Sequence, residues 1–110
     1  MCGEIRRPRV LIVDDDESVL LALEWLLETE GYETTTAWSG EAAVQLLATL
    51  SFDVVLIDAE LRGVGAAEIA LCLRSCGQKA HCVLLYPSTR LQQIDTVCNL
   101  GRELPNESSC

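Results

Sequence analysis

A chain of 110 residues, 49% apolar and 23% charged, can build one hydrophobic core and is too apolar for a disordered tail. Seventeen acidic residues against eight basic ones give a net charge of −9. That balance argues against direct nucleic-acid binding, which needs cations to displace counterions, and suits a bound cation or a basic partner.

No apolar run reaches the ~18 residues of a membrane span. The short stretch Val10 to Val13 runs into three aspartates instead of a small-residue cleavage site. A cytoplasmic protein without a membrane contact is expected.

In chain order, Val10-Leu11-Ile12-Val13 is a short, mostly β-branched apolar run, the pattern of a parallel strand covered on both faces. Asp16 or Ser18 can cap the helix that follows, whose apolar stripe is Leu20, Leu23 and Leu27, and Gly31 supplies its left-handed stop. Threonine-rich Tyr32 to Ala37 reads as a strand near the sheet edge. Ser39 can cap a second helix from Glu41 to Thr49.

Val54-Val55-Leu56-Ile57 is a second continuous apolar strand, and it ends in Asp58. A glycine-containing loop, Ala59 to Gly65, leads to a third helix over Ala66 to Cys76, closed by Gly77. Cys82 to Leu85 is a fourth strand, stopped by Pro87, and Leu91, Ile94, Val97 and Leu100 mark one face of a fourth helix over Arg90 to Leu100. Residues 102–110 show neither period and read as a polar tail behind a domain of residues 1–101. Strands alternating with helices across short loops imply right-handed crossovers and an α/β, doubly wound parallel sheet.

The cysteines are at positions 2, 72, 76, 82, 98 and 110. The spacing C-x3-C-x5-C with His81 beside Cys82 invites a metal reading, but no C-x2-C pair is present. Cys72 and Cys76 fall inside an apolar helical pattern and are expected to pack as small hydrophobes.

The acidic residues carry the chemistry. In open parallel sheets ligands bind beyond the carboxyl ends of the strands. Asp14-Asp15-Asp16 closes the first strand and Asp58 the third, so neighbouring strands would bring several carboxylates together. Such a cluster repels itself until a hard divalent cation with oxygen ligands relieves it. Asp16 alone has a plainer use as a helix cap.

The run VLIVDDDESVLLALEWLLETEGYETTTAWSGEAAVQLL, followed by FDVVLIDAEL, resembles the receiver domain of bacterial two-component response regulators. The resemblance implies a flavodoxin-like sheet in the order 2-1-3-4 and a phosphorelay function. Asp58 would accept a phosphoryl group from a histidine kinase or phosphotransfer protein in a reaction dependent on Mg2+ or Mn2+. Asp14 and Asp15 match the family's metal-holding pair, the backbone carbonyl of Glu60 matches its third protein ligand, and Asp58 itself would also bind the metal. Such a domain is a phosphoacceptor and not a turnover enzyme.

The second half departs from the family pattern. Where the fourth strand usually ends in a Thr or Ser that follows the phosphoryl group stands Tyr86, unless a shift of two residues brings Ser88 there. The only lysine, Lys79, precedes the fourth strand, so the lysine expected to close a fifth strand has no match, and that strand and its helix read as missing or degenerate. A free fourth strand and the apolar face of the fourth helix would then favour a homodimer.

The departures leave a second reading, a phosphorylation-independent receiver-like interaction module. A third, from Asp14-x-Asp16, which also resembles the nucleophile motif of haloacid-dehalogenase-type phosphatases, is disfavoured because those require a later lysine, further acidic residues and usually a cap, for which this chain has no room.

Overall fold

The computed structural model describes residues 7–86 together with Gln92 and Gln93. Its elements are β1 (Arg9–Val13), α1 (Glu17–Thr29), β2 (Glu33–Ala37), α2 (Gly40–Leu47), β3 (Val54–Asp58), α3 (Ala66–Ser75) and β4 (His81–Leu85). The strands form one parallel sheet in the order β2-β1-β3-β4. This is the expected doubly wound arrangement. Gln92 and Gln93 are helical, whereas Ser88, the rest of the helix expected over 90–100 and the tail over 102–110 lie outside the described residues.

Strand alternation sends each apolar run to two cores at once. From β1, Val10 and Ile12 join Leu20, Leu23 and Leu27 of α1, together with Val54 and Leu56 of β3. On the other face, Leu11 and Val13 pack with Ala43 and Leu47 of α2, Val55 and Ile57 of β3, and Ile69 and Leu73 of α3. A strand buried on both faces must be apolar at every position, and Val10 to Val13 and Val54 to Leu56 are fully covered. Each such side chain contributes about 1.5–3 kcal/mol. Threonines suffice in β2 because it is an edge, with Thr34 to Thr36 only partly covered.

Local chemistry sets the ends of the helices. Asp16 caps α1 by accepting from Ser18 N at 2.9 Å, and Ser39 caps α2 by accepting from Ala42 N at 3.1 Å. Gly31 and Gly77 take φ of +95° and +74° just past α1 and α3, a conformation that strains any residue with a Cβ. Before α3 the cap comes from within the helix, where Glu68 Oε1 accepts from Gly65 N at 3.0 Å.

The end of the sheet where the strands begin is fastened by two polar side chains. Asp53 Oδ2 accepts from Arg9 N at 2.8 Å, while the Asp53 carbonyl accepts from His81 N at 2.9 Å, tying β1, β3 and β4. Gln78 Oε1 accepts from Phe52 N at 3.1 Å, and its Nε2 donates to the carbonyls of Leu47 and Leu50 at 2.9 Å each. One side chain therefore satisfies three backbone groups of the α2–β3 connection. Gln78→Leu should cost about 2 kcal/mol, since stranded partly buried polar groups cost about 1–3 kcal/mol each. Urea unfolding of the two proteins at equal slope measures it.

The core-packing expectation for the cysteines is corrected. Cys76 and Cys82 are exposed, and Cys72 is only partly covered at the rim of the second core. The buried stripe of α3 is Ile69 and Leu73, and the two helical cysteines flank it.

Candidate functional site

Strand register assembles the site. Val13 pairs with Ile57, so the residues that follow, Asp14 and Asp58, come side by side at the carboxyl end of the sheet. Asp14 is held against the neighbouring strand by its N–H, which donates to the Ala37 carbonyl at 3.1 Å. Its Oδ1 accepts from Asp16 N at 2.9 Å, which turns the chain into α1 and leaves Asp15 exposed at the loop tip. Asp58 remains in strand pairing opposite Leu85, and Ala59 N donates to the Leu85 carbonyl at 2.9 Å.

The three carboxylates meet there. Ligand oxygens of Asp14, Asp15 and Asp58 lie within 4.8 Å of one another. Asp14 and Asp58 are buried, at 2% and 8% exposure, and Asp15 closes the group from the solvent side. Three anions at this spacing, two of them shielded from water, repel one another strongly. An all-oxygen donor set of this density matches a hard divalent cation such as Mg2+, which binds through one or two carboxylates and keeps waters for its other positions. The residues present fit that ion.

The loop after β3 holds the Asp58 carboxylate. Asp58 Oδ1 accepts from Glu60 N at 3.0 Å, and the Asp58 carbonyl accepts from Leu61 N at 3.1 Å. This side-chain-mediated turn fixes the carboxylate on a rigid strand end. It also puts the backbone of Glu60 against the acidic cluster.

Among the remaining expected residues, Asp16 serves as the α1 cap. Tyr86 follows Leu85 and so stands at the rim of the site, 49% exposed, with its N–H donating to Gln93 Oε1 at 2.8 Å. Gln93 also donates to the Leu84 carbonyl, so one side chain secures the end of β4. No local pattern in the sequence points to Gln93, because its partners lie seven and nine positions away. Lys79 lies in the turn before β4, at the opposite end of the sheet from Asp58.

The family profile for the response regulator receiver domain matches residues 10–101. The alkaline phosphatase synthesis transcriptional regulatory protein PhoP of Bacillus subtilis is 33% identical over 96 residues, spanning 87% of this chain and 38% of PhoP. The sensor protein GacS of Pseudomonas syringae is 37% identical over 70 residues, 64% of this chain and 8% of GacS. The chain thus spans well under half the length of these curated relatives.

Among solved structures, response regulator protein TrrA of Thermotoga maritima, in complex with Mg(2+)-BeF, superposes with a TM-score of 0.65 at 29% identity. The match covers 86% of this chain and 80% of TrrA. A receiver domain protein of Bacillus halodurans shares the fold at a TM-score of 0.72 and 16% identity, covering 87% and 97% of the two chains. With the sheet order, the acidic cluster at its carboxyl end and these likenesses together, the chain belongs to the response regulator receiver domains, the magnesium-dependent aspartyl phosphoacceptors of two-component signalling.

Proposed function

We propose that Asp58 is the phosphoacceptor of this chain and that Asp15, Asp58 and the Glu60 carbonyl hold the Mg2+ or Mn2+ ion, with Asp14 acting through a water molecule. The observation that carries this reading is the convergence of three carboxylates from β1 and β3 within 4.8 Å, with Asp58 on a buried strand end. The N–H of Glu60 occupies Asp58 Oδ1 and leaves Oδ2 to attack. The oxygen–phosphorus bond forms as the donor's phosphorus–nitrogen bond breaks, giving an acyl phosphate on Asp58 and freeing the donor imidazole. The cation supplies charge neutralisation on the incoming phosphoryl group, and positioning does most of the rest.

The donor is a histidine kinase or phosphotransfer protein in the cytoplasm. The net charge of −9 supports a domain that does not itself touch nucleic acid. The domain takes residues 1–101, with 102–110 as a tail. Among the described residues β4 pairs only with β3, and Leu84 and Tyr86 are exposed beside it. That free edge supports a homodimer through β4 and the helix after it. Sedimentation should show a dimer, and a monomer at high concentration would remove that part of the proposal.

The metal site is tested by stability. At several-fold excess over its Kd, magnesium should stabilise the fold by about 1 kcal/mol, raising Tm by about 4–8 °C. Asp15→Asn relieves the carboxylate repulsion, so this variant should melt higher than the parent without magnesium and fail to respond to it. An equal rise in both proteins would rule out Asp15 as a ligand.

Function itself is tested by incubation with magnesium and acetyl phosphate, read by intact mass. A gain of one phosphoryl group that disappears on chelation of the metal is expected. No gain would favour the phosphorylation-independent interaction module.

A further inference from the structure

The last turn of α3 carries a second constellation, chemically unlike the first. Cys72 and Cys76 stand four residues apart on one helix face, with their Sγ atoms 3.9 Å apart. A disulfide would need about 2 Å between the sulfurs and a Cβ separation of about 3.5–4.5 Å, closer than the 5–6 Å of an i, i+4 pair in an intact helix. A bridging ion needs no such distortion. Two thiolates bound tetrahedrally at about 2.3 Å from one metal stand about 3.8 Å apart, close to the spacing already present. Thiolates select soft d10 ions and leave magnesium to the oxygen cluster.

We propose that Cys72 and Cys76 form a bidentate site for a soft d10 metal ion, with zinc or cuprous copper as the chemical class. Cys76 is exposed and meets the ion first, and partly covered Cys72 closes the chelate against the rim of the core. Burial, followed by the hydrogen bond and charge interaction with Cys76, raises the Cys72 thiol above its ordinary value. Each metal–sulfur bond forms at a thiolate, so a thiol proton displaced on binding goes to solvent, with no change of oxidation state. The carboxyl end of a helix, with its partial negative charge, favours a cation there. External thiols or water complete the coordination.

The site is separate from the acidic cluster. α3 runs back from the Asp58 loop and ends before β4, so the thiols lie at the opposite end of the sheet. Cys76 caps α3, its N–H donating to the Cys72 carbonyl at 2.9 Å, and the Gln78 staple is two residues on. A bound ion would clamp this junction.

Titration of the whole chain with cadmium, read by the ultraviolet thiolate-to-metal charge-transfer band, tests the site without interference from carboxylates. Cys72→Ser or Cys76→Ser should weaken the tightest binding about a hundredfold, the loss expected when a two-point attachment becomes single. Cys82→Ser, which removes another exposed thiol, should leave it unchanged. A second readout needs no variant. Cadmium should shield Cys72 and Cys76 together from alkylation, and trypsin separates them at Arg74 into peptides 63–74 and 75–79. Tight binding that survives either serine substitution, or alkylation of the two peptides at unchanged rates, would overturn the proposal.

Discussion

Gly40→Ala should be the most destabilising single-methyl change in the domain. A Cβ built on Gly40 would stand 1.8 Å from the carbonyl oxygen of Val64 and 2.8 Å from the Val64 Cβ. The obstacle is backbone, so no rotamer change relieves it. Either the N-terminus of α2 must lift away or the loop ahead of α3 must move. Overpacking of this kind costs about 3 kcal/mol, and for a domain of this size about 12–24 °C in Tm.

The comparison with Gly31 separates the mechanisms. Nothing lies within 4 Å of a Cβ there, and only its φ of +95° opposes a side chain. Gly31→Ala should therefore cost about 1–2 kcal/mol, the price of the left-handed conformation alone. Thermal melts of the two variants beside the parent decide the matter. Equal losses would show that the contact with Val64 does not control the packing of α2.

The second large effect is chemical. Asp58→Asn keeps the shape of the side chain and its acceptance from Glu60 N, but replaces the carboxylate proposed to attack with a neutral amide. Phosphoryl uptake from acetyl phosphate should fall to background while the fold survives. Asp14→Asn should slow uptake and not abolish it, because it removes charge around the cation and leaves Asp58 in place, whereas Asp15→Asn, which loses the cation, should abolish uptake as chelation does. Uptake by Asp58→Asn at the parental rate would mean that another carboxylate is the acceptor.

The sheet and the acidic site are legible in the sequence for a simple reason. Val10 to Val13 and Val54 to Ile57 are apolar without interruption because both faces of those strands are covered, and each run stops at a buried aspartate at the carboxyl end of the sheet. The caps at Asp16 and Ser39 and the stop at Gly31 are equally local, each decided by a few adjacent residues. Element bounds move only slightly: β1 begins at Arg9, α2 ends at Leu47 and β4 begins at His81.

What the sequence hides is pairwise and distant. Gln78 reads as an ordinary loop residue, and only the folded chain brings Leu47, Leu50 and Phe52 to its amide. The tight approach of Gly40 to Val64 joins positions twenty-four residues apart. Cys72 and Cys76 sit within an apolar-looking helix, yet the angular offset from Ile69 and Leu73 turns their sulfurs out of the core. Composition cannot supply that angle.

The central claim, that the acyl phosphate forms on Asp58, is tested most directly by locating the bond. The chain phosphorylated with magnesium and acetyl phosphate is reduced with borohydride, which converts an aspartyl phosphate to homoserine. Trypsin then releases residues 10–62, a single peptide carrying Asp14, Asp15 and Asp58. Fragmentation should place homoserine at position 58 alone, and homoserine at position 14 or 15 instead, or none in this peptide, would contradict the account.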